Sequence, residues 1–360
     1  MFKPSQTFLV IILSICFGLL SGFLGFIIIS ASSFSIPILS QLNLSSATLN
    51  DKIVIQQPRS VVVEQDTQMK QIENDLLPAV VNIYHSKKAI EPLNAAFTGN
   101  EVLGHGFVLT ADGWVVSSRS VISNLKGTYA VVGYQNKQYS LSDFVEDQAT
   151  GVVFGKMPAN NLPVAKLGDS SSLSLGQTVV VVSGHNQLEL AHIARIGYVF
   201  SVANDLKLKS DYPQKRIHLD RLLADSYNGG LLVNLKGEVI GVIDGGSAIP
   251  VDYFSQLVSG LLNNKKIVRA SLGVDYIDLA QTDGLINWGD KGAYVISEPA
   301  RGTAAFDLVQ KGDIIKKIND SELNVYQGLA DVINDFKMGD KVEIVLSRNG
   351  QDVTVVTALK

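Results

Sequence analysis

Cysteine is almost missing from this chain. Cys16 is the only one in 360 residues, and it lies inside the first apolar run. The remainder therefore has no disulfide, no thiol nucleophile and no cysteine metal site. A domain of this size builds its own core, so the lack of disulfides does not place it in the cytosol. Charge is sparse as well. Only 18% of residues are charged, the formal net charge is −4 and the pI is about 5.8. With no Lys/Arg stripe, nucleic acid is excluded as a partner class. The histidines are five, His85, His105, His185, His192 and His218, with no His-x-His or His-x-x-x-His spacing. No metal and no cofactor is expected from that pattern.

One long uncharged run is present, TFLVIILSICFGLLSGFLGFIIIS from Thr7 to Ser30. As a helix that length crosses a ~30 Å hydrocarbon core. Ala31-Ser32-Ser33 offers a signal-peptide cleavage site, but an ordinary signal has an apolar region of only ~7–15 residues, which favours a retained anchor. Lys3 precedes the run and Asp51 and Lys52 are the next charges. The N-terminus is therefore expected in the cytoplasm and the bulk of the chain outside it.

Residues 1–31 thus read as a cytoplasmic tip and anchor, and 32–67, rich in Ser, Leu, Gln and Thr, as a linker. Residues 68–264 hold short β-rich runs (VVNIY, GFVLT, WVVSS, YAVVGY, TVVVVS, IGYVFSV, GLLVNL, EVIGVI) punctuated by turns such as Asp112-Gly113 and Lys236-Gly237. Many short strands with regular turns predict an all-β barrel or sandwich. Val251 to Leu262 carries helical spacing and reads as its terminal helix. Residues 265–360 form a second unit of five or six strands and one or two helices. Its amphipathic stretch runs from Val325 to Phe336, with Leu329, Val332, Ile333 and Phe336 on one face.

The segments LLPAVVNI (76–83), GHGFVLTADGWVV (104–116), LPVAKLGDSSSLSLGQTVVVV (162–182), GGLLVNLKGEVIGV (229–242) and AIPVDYFSQLVSGLL (248–262) resemble the HtrA (Deg-type) family. The resemblance runs from Lys70 to Lys360 and is nearest to the anchored members with a single PDZ domain. It implies a mainly β fold: a trypsin-like double β-barrel followed by a small α+β PDZ domain, with an N-terminal transmembrane helix. Three family positions depart from the pattern. Ser117-Ser118-Arg119-Ser120-Val121-Ile122 puts Ser120 where the family has its histidine. Asp147-Gln148-Ala149-Thr150-Gly151 puts Gly151 at the aspartate, and Ser226-Tyr227-Asn228-Gly229-Gly230 puts Asn228 at the nucleophilic serine.

Peptide hydrolysis on this fold needs a hydroxyl deprotonated by an imidazole that a carboxylate orients. An amide nitrogen is no nucleophile, a serine is no base near neutral pH, and a glycine orients nothing. Ser226 replaces a glycine whose freedom lets backbone N–H groups face the oxyanion, so the oxyanion region Ser226-Tyr227 is also degenerate by this alignment. The alternative is an active serine endopeptidase with rearranged residues, for instance Ser226 paired with His105 or His218.

By the same resemblance, Arg269-Ala270-Ser271-Leu272-Gly273-Val274 is the carboxylate loop of the PDZ domain. Leu272, Gly273 and Val274 are its binding residues, and Leu329 and Ile333 line the groove beside it. PDZ domains add a peptide as an extra strand and catch its terminal carboxylate on backbone N–H groups. No histidine begins the groove helix, so apolar ligand side chains are expected. ARGTAAFDLVQKGD (300–313) is shorter than the family loop and lacks its Ala-Gly-Leu element. The reading as a whole is a membrane-anchored pseudoprotease that binds C-terminal or unfolded polypeptide segments in extracytoplasmic quality control or signalling. The resemblance also implies homotrimers, or trimers with active relatives.

Overall fold

The computed structural model describes residues 13–24, 59–87, 96–184, 187–198, 207–282 and 291–360, side chains at 59–64 and 134 excepted. The chain forms two compact units, Met1–Val61 and Val62–Lys360. In the first, residues 13–24 are helical (α1) and expose Phe17, Leu19, Leu20 and Phe23. Among the described residues no helix is long and apolar enough to cross a membrane. The ends of the expected anchor, and most of the expected linker, lie outside the described residues.

A helix of 18 residues, α2 (Arg59–Leu76), differs from the sequence expectation, because the boundary drawn at 67/68 falls inside it. Its apolar spacing explains the fold: Met69, Ile72 and Leu76 recur at helical intervals and pack on the first core, with Ile72 and Leu76 both 2% exposed. The α-helix gives way to a 3-10 turn at Leu77–Ala79, where Pro78 lacks the N–H that would continue the α ladder.

The first barrel follows: β1 (Val80–His85), β2 (Val102–Val108), β3 (Trp114–Ser118), β4 (Tyr129–Val132), β5 (Gln138–Asp147) and β6 (Val152–Lys156). They close in the order β1-β2-β3-β6-β5-β4. The second barrel holds β7 (Thr178–Val182), β8 (Leu188–Tyr198), β10 (Lys215–Leu219), β11 (Leu231–Val233), β12 (Val239–Asp244) and β13 (Ser247–Pro250), closed as β10-β13-β12-β11-β7-β8. The valine run of β7 is apolar on both faces because it divides two cores. Val180 and Val182 pack in the first core, and Val179 and Val181 fill the second barrel. The helix expected over Val251 to Leu262 is two short ones, α3 (Asp252–Ser255) and α4 (Val258–Asn264). The ladder breaks between them, where the Leu257 N–H donates to Phe254 O rather than one residue further back.

The last sheet contains β14 (Asp275–Asp278), β15 (Ala293–Val295), β16 (Ile314–Ile318), β18 (Lys341–Arg348) and β19 (Gln351–Ala358), with β17 (Ser321–Glu322) paired to β16. Its helix α5 spans only Leu329–Asn334, shorter than the expected Val325–Phe336. Asn324 Oδ1 accepts the N–H groups of Tyr326 and Gln327, holding those residues in a turn, and the Asp331 carboxylate caps the helix on the Gly328 N–H. One further strand completes the sheet. β9 (Leu208–Lys209) comes from the loop between β8 and β10, inside the expected first domain, yet it pairs antiparallel with β14.

A buried ion pair ties the last sheet to the barrels. Arg269 donates to both carboxylate oxygens of Asp147, Nε to Oδ1 at 2.8 Å and Nη2 to Oδ2 at 2.6 Å. Nη2 also reaches Tyr253 O, and Nη1 reaches Asn334 Oδ1 at 2.6 Å. The two side chains are 14% and 2% exposed. Removing one partner leaves the other charge buried and alone. Arg269→Ala is therefore expected to cost about 3–5 kcal/mol in chemical denaturation. Arg269→Lys recovers only part of this loss, because an ammonium lacks the planar fork.

Candidate functional site

Ser120, Gly151 and Asn228 sit at the meeting of the two barrels. Ser120 follows β3, and its hydroxyl donates to Asp244 Oδ1 at 2.6 Å. Asn228 follows a short 3-10 turn (Asp225–Tyr227), and its side-chain oxygen accepts the Gly245 N–H at 2.9 Å. Both side chains thus converge on adjacent residues, the last of β12 and the first of the turn after it. Gly151 lies between β5 and β6, with its N–H on Asp147 O at 2.8 Å and its carbonyl accepting the Arg119 N–H at 2.8 Å. Arg216 enters from β10 and donates to Thr150 O at 3.1 Å. Burial pulls its guanidinium below the usual range, an effect that the nearby Asp244 opposes. Sequence reasoning missed Asp244 and Arg216; no local motif marks either one.

The backbone amides of residues 227–230 are engaged within the protein. The N–H of Tyr227 donates to Ala224 O, that of Asn228 to Asp225 O, that of Gly229 to Ile243 O and that of Gly230 to Tyr227 O. No two of these amides point together at an outside oxygen. Gly229 is required at its place: φ is +74°, and a Cβ there would lie 2.0 Å from His105 O. Ser226 is exposed on the turn. The Tyr227 hydroxyl donates to Glu189 Oε1 at 2.6 Å. The histidines face elsewhere: His105 Nδ1 is 3.0 Å from Asn82 Oδ1, His192 Nδ1 is 2.8 Å from Asp220 Oδ2, and His218 Nε2 is 3.1 Å from the Arg195 guanidinium. His85 stacks on Tyr129, and His185 lies outside the described residues. As a chemical centre the cluster offers a serine hydroxyl on a carboxylate, without an imidazole between them.

The second candidate site differs from its expectation in what its residues touch. Leu272, Val274, Leu329 and Ile333 do share one core, but they are 0%, 2%, 0% and 1% exposed, and of the four only Ile333 borders the cavity beside the loop. Gly273 makes the loop turn with φ +79°, and a Cβ would meet the Thr303 side chain at 2.3 Å. The loop amides are occupied by the chain itself. Leu272 N–H and Gly273 N–H donate to Asp211 Oδ1 at 2.9 and 3.0 Å, Ser271 Oγ donates to Asp211 Oδ2 at 2.6 Å, and Val274 N–H donates to Ser210 Oγ at 3.0 Å. Ser210 N–H returns a bond to Val274 O at 2.9 Å. Leu208, 3% exposed, joins the core that holds Leu329 and Ile333. Sequence reasoning missed this segment because LKSDYP lies more than sixty residues from the loop and has no local signature.

The flank of α5 is docked too. Lys215 Nζ lies 2.6 Å from Asp331 Oδ2 and donates to Tyr326 O at 2.8 Å, and Tyr253 OH donates to Asp331 Oδ1 at 2.6 Å. From the end of β8, Tyr198 OH donates to Asp278 Oδ2 at 2.8 Å. Burial pushes the Asp278 carboxyl above the ordinary 3.8, with the Tyr198 hydroxyl partly opposing. A carboxyl raised in the folded state binds its proton more tightly there than in the unfolded chain. Its contribution is complete below 3.8 and is lost as pH rises through the raised value. Relative to wild type, Asp278→Asn should therefore gain stability between pH 4 and pH 7.5. Urea denaturation at both pH values measures the difference.

Comparison with known proteins agrees with this architecture. Residues 104–242 match the trypsin-like peptidase domain, and residues 270–359 match the PDZ domain. The chain is 30% identical over 267 residues to the "Probable periplasmic serine endoprotease DegP-like" of Pseudomonas putida (strain GB-1), covering 69% of this chain and 54% of that one. It is 27% identical over 274 residues to the "Serine protease Do-like HtrA" of Lactobacillus helveticus, covering 69% and 65%. It therefore spans about half the length of the first of these relatives. Two solved structures of the HtrA-type protease AlgW, one with a tripeptide and one with a decapeptide, share the fold. Their TM-scores are 0.58 and 0.56 at 20% and 21% identity, over 81% of this chain and 96% and 97% of theirs. Double barrel and appended small domain together define a trypsin-like protein carrying a PDZ module. The chain belongs to the HtrA-type serine protease family.

Proposed function

We propose that this chain is an HtrA-type pseudoprotease that binds polypeptide segments through its PDZ domain without cleaving them. In this reading it is held at a membrane by the N-terminal apolar run. Its folded domains lie outside the cytoplasm, where it serves protein quality control or signalling, alone or in trimers with active relatives. The observation that carries the reading is the state of the residues at the family's catalytic positions. Ser120 is bonded to Asp244, Asn228 is bonded to Gly245, and the amides of residues 227–230 are all spent within the protein. Support for peptide binding comes from the PDZ match and from the AlgW structures, which were solved with peptides. The periplasmic name of the Pseudomonas relative supports the extracytoplasmic side. The exposed apolar side chains of α1 and the unbroken apolar run around it support the anchor.

The second reading is an active serine endopeptidase, and the names of the relatives favour it. A fluorophosphonate probe and digestion of an unfolded protein separate the two. The proposal expects no labelling and turnover roughly 10⁶-fold below that of an intact triad. Stoichiometric labelling that vanishes with Ser226→Ala makes the enzyme reading correct. Combining Ser120→His, Gly151→Asp and Asn228→Ser is also expected to leave the chain inactive, because the Asn228 amide, an oxyanion donor on this fold, stays bonded to Asp225 O inside the 3-10 turn. The same digestion assay tests that outcome.

A further inference from the structure

We infer that Leu208–Asp211 is a built-in ligand of the carboxylate loop. We infer also that the loop takes an external chain end only in exchange for it, one with a free carboxylate, a small apolar last residue and an apolar residue two before it. This rests on the peptide-binding reading above and says what the site must release and what it then accepts.

The bonding pattern carries the inference. β9 runs antiparallel to β14, with Leu208 opposite Tyr276 and Lys209 opposite Asp275, so the segment occupies the sheet edge as an added strand. The pairing continues through Ser210, whose N–H donates to Val274 O. At that point the three successive amides of Leu272, Gly273 and Val274 close on Asp211 Oδ1 and Ser210 Oγ. A carboxylate beside a nest of backbone N–H groups is how a free chain end is held, and Asp211 supplies one from a side chain. An ordinary turn does not account for this. The local turn is made by Tyr212 N–H on Lys209 O, whereas the Asp211 carboxylate accepts from Ser271, Leu272 and Gly273, some sixty residues away.

Side chains give the specificity. In an extended strand, residues two apart share a face, so Leu208 and Ser210 point the same way. Leu208 fills the core beside Leu329 and Ile333. Ser210 instead borders a cavity of about 50 Å³ that Ala330, Ile333 and Phe336 also line. A chain end placed where Ser210 stands puts its last side chain into that cavity and its own carboxylate on the amides. A small apolar residue fits the space and gains burial that serine does not. The tether gives the internal segment a high effective concentration, so external ligands compete against it.

The probe is fluorescein-labelled Asp-Leu-Lys-Leu-Lys-Val with a free carboxylate, which copies residues 205–209 and ends in valine. Its amidated form is the control. Binding to the full chain in detergent is followed by fluorescence anisotropy. A groove open in about 0.1–10% of molecules lowers apparent affinity by that fraction, so Asp211→Ala is expected to tighten binding by about tenfold to a thousandfold, for the free acid only. Equal affinity of Asp211→Ala and wild type for the free acid overturns the built-in ligand and leaves peptide binding standing. Failure of both proteins to bind, across a C-terminal peptide library as well, overturns peptide binding itself and the inference with it. A second measurement needs no variant: in wild type, saturating probe should speed hydrogen exchange of the Ser210 amide, which the internal segment holds on Val274 O. Binding of the probe with that amide still protected refutes the exchange.

Discussion

Arg269 is the point on which the arrangement turns. A buried guanidinium is tolerable only when its donors are matched, and here Asp147, Tyr253 and Asn334 match them. Those partners belong to β5, to α3 and to α5, so one side chain fixes the first barrel, the helical exit from the barrels and α5 together. It is the first residue of the loop 269–274. Once it is set, the loop amides face the segment between β8 and β10, and the Asp211 carboxylate reaches them.

The two candidate sites share one physical theme, polar groups turned inward. At Ser120 and Asn228, a hydroxyl donor, a side-chain amide oxygen and backbone N–H groups are spent on neighbours within the barrels. At the PDZ loop, donors that suit a chain terminus are spent on an internal aspartate. The loop bonds are part-buried and charge-assisted, which strengthens them. A ligand for the loop must therefore bring an equivalent carboxylate, which makes chain ends better competitors than internal segments.

Much of the architecture was legible in order of residues. The β-rich runs became barrel strands because alternating and continuous valine and isoleucine positions meet cores on one or both faces. The Leu272-Gly273-Val274 turn was legible because a glycine at positive φ has few substitutes. Helix extents were less so. Asn324 and Gly328 shorten α5 through side-chain and backbone bonds that periodicity does not register, and the break between α3 and α4 comes from one tightened turn.

Sequence alone determined the kind of protein this is: an apolar leading run, barrel-forming strands, a PDZ-like loop, and Ser120, Gly151 and Asn228 at three aligned positions. Those are properties of residue type and local spacing, which the chain carries whether folded or not. Tertiary structure alone decided what the residues touch. Asp244 beneath Ser120, Asp147 on Arg269 and Asp211 on the loop amides are pairings between residues 61 to 124 positions apart. No local propensity encodes them, because a hydrogen bond across that distance exists only after the strands between its partners have found their register.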